Sequence, residues 1–320
     1  MNEVRNAKLV RQTGKKLSNW GRWGADDEHG TLNYITPDCI AEATRLARKG
    51  KVFRLGLNYD KDGPELVGSD LLRRFNPIHL MLAHGGDAAI GACTLPGGAQ
   101  FSDDIVIMPL QSATHWDSLA HAFYDGKLYN GYSMTETTGT GARRNSIDKA
   151  CDGIIGRGVL MDIARSQGKD ILDTDHGITP EELDACAERQ GVTIRQGDII
   201  CIRTGFIQKL LRENDKKAYT QTWPGLSFEC VHWLSRHRVA AVTADTIGLE
   251  VYPCGFEDGC FLPLHMVTIR DMGMPIGEMF NFEVLSTDSA ADNVYEFFFI
   301  GTPIPITGAV GSPVNPLAVK

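Results

Sequence analysis

Apolar residues in this chain come in short runs rich in β-branched side chains, and these runs alternate with stretches that carry helix-capping signals. Asp104 to Leu110 (DIVIMPL), Gly158 to Ile163 (GVLMDI), Ile199 to Arg203 and Val239 to Thr243 each have the length and composition of a buried strand. Between them lie helices with marked ends. Thr36-Pro37, followed by Ile40, Ala43, Leu46 and Ala47 and closed by Gly50, predicts a helix with an N-cap, a proline at its first position and a glycine after its last turn. A strand is expected next, at Val52 to Leu57. Thr179-Pro180-Glu181-Glu182 reads as a capping box, in which the Glu182 carboxylate reaches back to the Thr179 amide, and Gly191 ends the helix it opens. A further helical stretch, Ser227 to His237, leads into the Val239 run. Strand, helix and strand in repetition predict an α/β fold with a mixed sheet.

No linker, repeat or shift of composition divides the 320 residues, so a single domain over 1–320 is expected, with a polar N-terminal arm of about residues 1–18. Apolar runs fall short of the roughly 18 to 20 residues that span a bilayer. Met1 to Lys16 lacks the apolar centre of a secretion signal, so no membrane association and a cytoplasmic location are expected. Lys and Arg number 32 against 40 Asp and Glu; the net charge of -8 repels a phosphate backbone, and nucleic acid is not expected as a partner. Eight cysteines are scattered without a CxxC pair, as reduced core residues would be. No phosphate-binding glycine loop is present.

The chemistry concentrates in Thr114-His115-Trp116-Asp117-Ser118-Leu119-Ala120-His121. In an extended segment residues two apart face the same way, so His115 and Asp117 project to one side and Trp116 to the other. His121 lies beyond small residues where a turn can fold its ring back over the same spot. Imidazole plus carboxylate is a ligand mix that Zn²⁺, Mn²⁺ and Fe²⁺ accept, although a His-x-Asp pair beside a strand also arises as a hydrogen-bonded pair without metal. Pro263-Leu264-His265 and Met272 to Glu278 supply a second histidine and an acid far away in sequence. Arg203 is a candidate for a substrate carboxylate or for a structural ion pair at a strand end, with Asp245 and Glu250 similar cases. Phe297 to Phe299 read as a buried strand.

The segment Thr114 to His121 resembles the H-x-G-T-H-x-D-x-P-x-H signature of the cyclase-like family of metal-dependent hydrolases, which includes bacterial kynurenine formamidase, isatin hydrolase and trans-dienelactone hydrolase. Asn19 to Glu28 with Gly30 to Asn33, Asp198 to Gly205, Gly225 to Ser227, Ala244 to Thr246 and Leu264 to Glu278 follow in the family's order, so the resemblance runs from about Asn19 to Leu285. It implies a swivelling β/α/β-type fold, usually a homodimer or homotetramer. By the resemblance His115, Asp117, His265 and Glu278 are metal ligands, His121 is the catalytic acid/base and Trp23 touches the substrate. The signature's first His is Gln111 here, its Gly is Ala113 and its Pro is Leu119. An amide oxygen is a weaker ligand than imidazole, so one firmly bound divalent ion, zinc or manganese, is expected. The implied activity is hydrolysis of a small cyclic or N-acyl amide or a lactone by metal-activated water. A lyase or cyclase on the same site, or a non-catalytic binding protein, are the alternatives.

Overall fold

The computed structural model describes residues 4–65 and 74–320. Its centre is a nine-stranded mixed sheet in the order Val52–Arg54, Leu317–Val319, Glu296–Ile300, Ile155–Asp162, Ile199–Arg203, Ala241–Ala244, Ile276–Glu278, His115–Asp117, Gly311–Pro313. The four strands from Ile155–Asp162 to Ile276–Glu278 run parallel, and every pairing outside them is antiparallel. Parallel strands need crossovers, which the expected helices supply. Pro180–Gln190 starts at the Thr179/Glu182 capping box and ends at Gly191, whose φ of 64° suits glycine; the stretch expected at Ser227 to His237 is helical over Cys230–Arg236.

Both faces of the sheet are buried, and the pleat sorts the side chains between them. Ile200 and Ile202, with Val159, Met161, Val242 and Ile276, join a core that also takes Leu183 and Cys186 from one helix and Trp233 and Leu234 from another. Ile199 and Cys201 point the other way, into a cluster with Trp116, Phe280, Phe282, Phe297 and Phe299. Of the run expected to be buried, Phe297 and Phe299 are thus core, while Phe298 between them is only partly buried. Of the eight cysteines, all free, Cys93, Cys186, Cys201 and Cys230 are buried and the other four only partly so.

Several boundaries differ from the sequence expectation. The helix capped by Thr36 stops at Thr44, because Leu46 and Ala47 close tighter turns onto Ala43 and Thr44; Gly50, at φ 66°, turns the chain later. The strand expected at Val52 to Leu57 pairs only over Val52–Arg54. The N-terminal arm contains a helix, Ala7–Leu17, capped by Asn6 and tied to the core through Val10. Its Gly14 leaves room for the Asp271 carboxylate, where a Cβ would collide.

The largest departure concerns Asp104 to Leu110. Asp103–Ile107 pairs with Ile78–Ala83 in a separate two-stranded hairpin, and its residues are exposed. Apolar periodicity reports that a strand avoids water, without saying whether its cover comes from its own core or from another surface. Among the described residues, no helix is long and apolar enough to cross a membrane.

Candidate metal centre

His115–Asp117 is held between Ile276–Glu278 and Gly311–Pro313, and the register sets Glu278 directly opposite His115 and Ile276 opposite Asp117. Two sequence segments far apart are thereby joined by one antiparallel ladder. Trp116 turns to the opposite face, as strand parity requires, where its indole N–H donates to the Gly301 carbonyl at 2.7 Å and its ring packs edge-on to Phe280 and Phe299. Thr114 pins the strand's start: its hydroxyl donates to the Met279 carbonyl at 2.6 Å and accepts from the Leu57 amide at 2.8 Å. Met279, next to Glu278, is fully buried at φ 57°, a backbone strain stored beside the candidate ligand.

His115, Asp117 and Glu278 each offer a ligand atom within 4.8 Å of the others, and all three are buried. The His115 Nδ1–H donates to the Ala113 carbonyl at 2.8 Å, which fixes the tautomer and turns Nε2 toward the carboxylates. That Nε2 and Oδ1 of Asp117 are buried without a hydrogen-bond partner among the described residues. Orphaned buried polar atoms are costly, and two facing one point with an adjacent carboxylate fit a divalent cation.

His265 flanks this trio. It ends the turn Pro263–His265, and the chain continues as a π-helical segment, Met266–Met272. Its Nε2 lies 3.0 Å from Glu278 Oε1 and 3.9 Å from Asp117 Oδ2, while Nδ1 is hydrogen-bonded to Glu250. Glu250 is buried, and its other oxygen accepts the Leu264 and His265 amides at 3.0 and 3.3 Å. It therefore positions His265, in the way carboxylates orient ligating histidines. No local pattern in the sequence singles Glu250 out for this.

His121 is folded back by a turn in which its amide donates to the Ser118 carbonyl at 3.0 Å, and Nε2 reaches within 3.5 Å of Asp117 Oδ1. With 23 % of its side chain exposed it is the open member of the group; the others are nearly inaccessible. Burial pushes its pKa below the ordinary histidine value against the opposing pull of Asp117. For His115 burial acts downward too, but Asp117 and Glu278 outweigh it and hold the imidazole up at about 9; Glu250 and Glu278 do the same for His265, well above the ordinary value. Asp117 and Glu278 stay below the usual carboxylate range because the imidazoles outweigh their burial.

Asp117, His121, His265 and Glu278 line a cavity of about 290 Å³ together with the aromatic rings of Trp223, Tyr252 and Phe261. Trp223 and Tyr252 stack at 4.8 Å, and Phe261 meets Tyr252 edge-on at 5.0 Å. Sequence reasoning did not find these aromatics. Trp23 lies elsewhere, edge-on to Tyr34, and does not line the cavity of its own chain; Trp116 is core. Gln111 is likewise absent from the lining, and its amide packs against Gly311. Arg203 pairs with Asp162 and Glu283 at 2.8 Å each, which makes it a structural ion pair at a strand end. Asp245 accepts from the Thr204 and Gly205 amides at 2.9 and 2.7 Å and holds that loop.

A family model named Cyclase, described as "Putative cyclase", matches residues 35–251. A crystal structure described as a novel cyclase is 37% identical, with a TM-score of 0.87, and the alignment covers 96% of this chain and 99% of that one. Isatin hydrolase A from Labrenzia aggregata, bound to benzyl benzoate, shares the fold at 17% identity and a TM-score of 0.62, over 84% and 93% of the two chains. A structure described as a predicted metal-dependent hydrolase from Bacillus stearothermophilus is similar at 14% identity and a TM-score of 0.51, over 84% and 97%. No curated protein matches. The family match over more than half of the chain, and the close likeness to a solved cyclase over nearly all of it, establish that this chain belongs to the Cyclase family.

Proposed function

We propose that the protein is a divalent-metal-dependent hydrolase of a small cyclic or N-acyl amide or a lactone. The observation that carries this reading is the pair of orphaned, buried atoms, His115 Nε2 and Asp117 Oδ1, set beside Glu278, which together with Asp117 lines an aromatic-walled cavity. His115, Asp117 and Glu278 are the proposed ligands, with His265 completing the set. Mixed nitrogen and oxygen donors suit zinc or manganese. Gln111 packs against Gly311 and offers the cavity no imidazole, which supports one firmly bound ion per chain. A dication there supplies Lewis acidity and a water that is nucleophilic near neutral pH.

The chain's own groups supply the rest of the chemistry. His121, kept neutral at pH 7 by its lowered pKa and open to the cavity, takes a proton from the attacking water and returns it to the leaving nitrogen or oxygen. The Asp117 carboxylate, 3.5 Å from His121 Nε2, favours the protonated ring that this transfer creates. Trp223, Tyr252 and Phe261 hold a ring-shaped substrate and exclude water from it. Hydrolysis assays on protein reconstituted separately with zinc and manganese, across formyl amides, cyclic imides, isatin-like lactams and lactones, test the reading. Turnover of none of these by metal-loaded protein contradicts it.

A homodimer or homotetramer is part of the same proposal. Ile78, Leu80, Met81, Ile105, Val106 and Ile107 crowd onto one exposed hairpin, and a two-stranded hairpin is marginal alone in water. Contact with a second copy across a twofold axis covers these chains on both partners at once.

A further inference from the structure

One acid in the cavity has no part in the scheme above. Glu65 lines the same cavity as Asp117, His121 and Glu278, is only 5% exposed, and its Oε1 finds no hydrogen-bond partner among the described residues. Its backbone is anchored. Asn76 clamps its backbone from the side: the Glu65 amide donates to Asn76 Oδ1 and Asn76 Nδ2 donates to the Glu65 carbonyl, both at 3.0 Å. A buried acceptor left unsatisfied costs stability, which a donor arriving with a ligand would recover.

We propose that Glu65 accepts a hydrogen bond from an N–H of the substrate, so that the protein selects N–H-bearing amides, lactams and imides over the corresponding lactones. This rests on the hydrolase reading and narrows it. A lactone presents a ring oxygen where the lactam has N–H, and that lone pair faces the carboxylate without a donor between them. Sites built around a substrate N–H or O–H discriminate strongly against the analogue lacking it, because the buried partner is then left unpaired. Arg74, on the same cavity lining, supplies the positive potential that lets a buried carboxylate stay available as acceptor.

Calorimetric binding of isoindolinone and of its oxygen isostere phthalide to metal-loaded protein at about pH 8 tests this, with the wild type compared to Glu65→Leu and Glu65→Gln. A hydrogen bond to a charged group corresponds to roughly 10- to 100-fold in affinity. The wild type is expected to prefer the lactam by about that factor. Glu65→Leu is expected to bring the preference to within a few-fold of unity with metal content unchanged, and Glu65→Gln, which keeps an acceptor, to retain part of it. A lactam preference that survives Glu65→Leu, or a wild type without preference, overturns the proposal. Loss of metal from Glu65→Leu overturns it too, since Glu65 would then be a ligand. Because the readout is binding, failure of every compound to turn over counts against the hydrolase reading and leaves this test standing.

Discussion

At the scale of single residues, two imidazoles separated by one turn are assigned different tasks. His115 is buried with its tautomer fixed by Ala113, whereas His121 faces the cavity. Removing the His115 ring in His115→Ala is expected to strip or loosen the metal. His121→Ala is expected to keep the metal and lower kcat by about 10² to 10⁴, the usual worth of a positioned acid/base, with less effect on KM. Elemental analysis and kcat measured in parallel decide the matter; equal metal loss in both variants would make His121 a ligand. Glu250→Gln tests the support behind His265. It keeps the shape but weakens the bond to Nδ1, and a drop in metal affinity of about 10- to 100-fold is expected by competition with a calibrated chelator. An unchanged affinity would show that Glu250 only serves the Leu264 and His265 amides.

At the scale of elements, the site depends on the register between His115–Asp117 and Ile276–Glu278. Gly277 sits opposite Trp116, and a Cβ there would lie 2.7 Å from Thr243, 2.8 Å from Phe280 and 2.9 Å from Trp116. Gly277→Ala is expected to cost about 1 to 3 kcal/mol in denaturant unfolding, as overpacking of a core does, and to weaken metal binding through the displaced strand. Stability within a few tenths of the wild type would contradict that packing. His115 and Asp117 were legible in the sequence because strand parity put them on one side, and Glu278 because the resemblance carried it; the ladder between the two strands was not, since pairing across so long a separation leaves no local pattern. The capping box at Thr179 and the strand Ile199–Arg203 emerge as read because their signals are local. The run Asp104 to Leu110 reads as a buried strand from its local pattern, yet Asp103–Ile107 is exposed in a separate hairpin, because what covers a strand is not local. Trp223, Tyr252 and Phe261 look in sequence like any other core aromatics, and only the fold turns them toward the cavity.

At the scale of the whole molecule, the hairpin Ile78–Ala83 with Asp103–Ile107 is expected to mediate self-association. Light scattering on the purified chain should give a dimer or tetramer, and a double charge substitution, Leu80→Asp with Ile105→Lys, should shift it toward monomer; a wild type that is monomeric at micromolar concentration would refute the assignment. Proton linkage gives a second global signature. In chelated protein, His115 and His265 have pKa values raised above the roughly 6.5 of the unfolded chain, so the stability they contribute is complete below that pH and is lost as pH rises, for His115 through about 9. The Tm of the chelated protein is expected to fall between about pH 6.5 and 9, with a smaller decline when metal replaces the protons; a flat or rising Tm would contradict the charge arrangement. The most direct test of the metal centre is elemental analysis coupled to activity on the protein as purified, after chelation and after reconstitution. About one divalent ion per chain, activity abolished with its removal and restored with its return, is the expected result, and full activity at negligible metal content would contradict it.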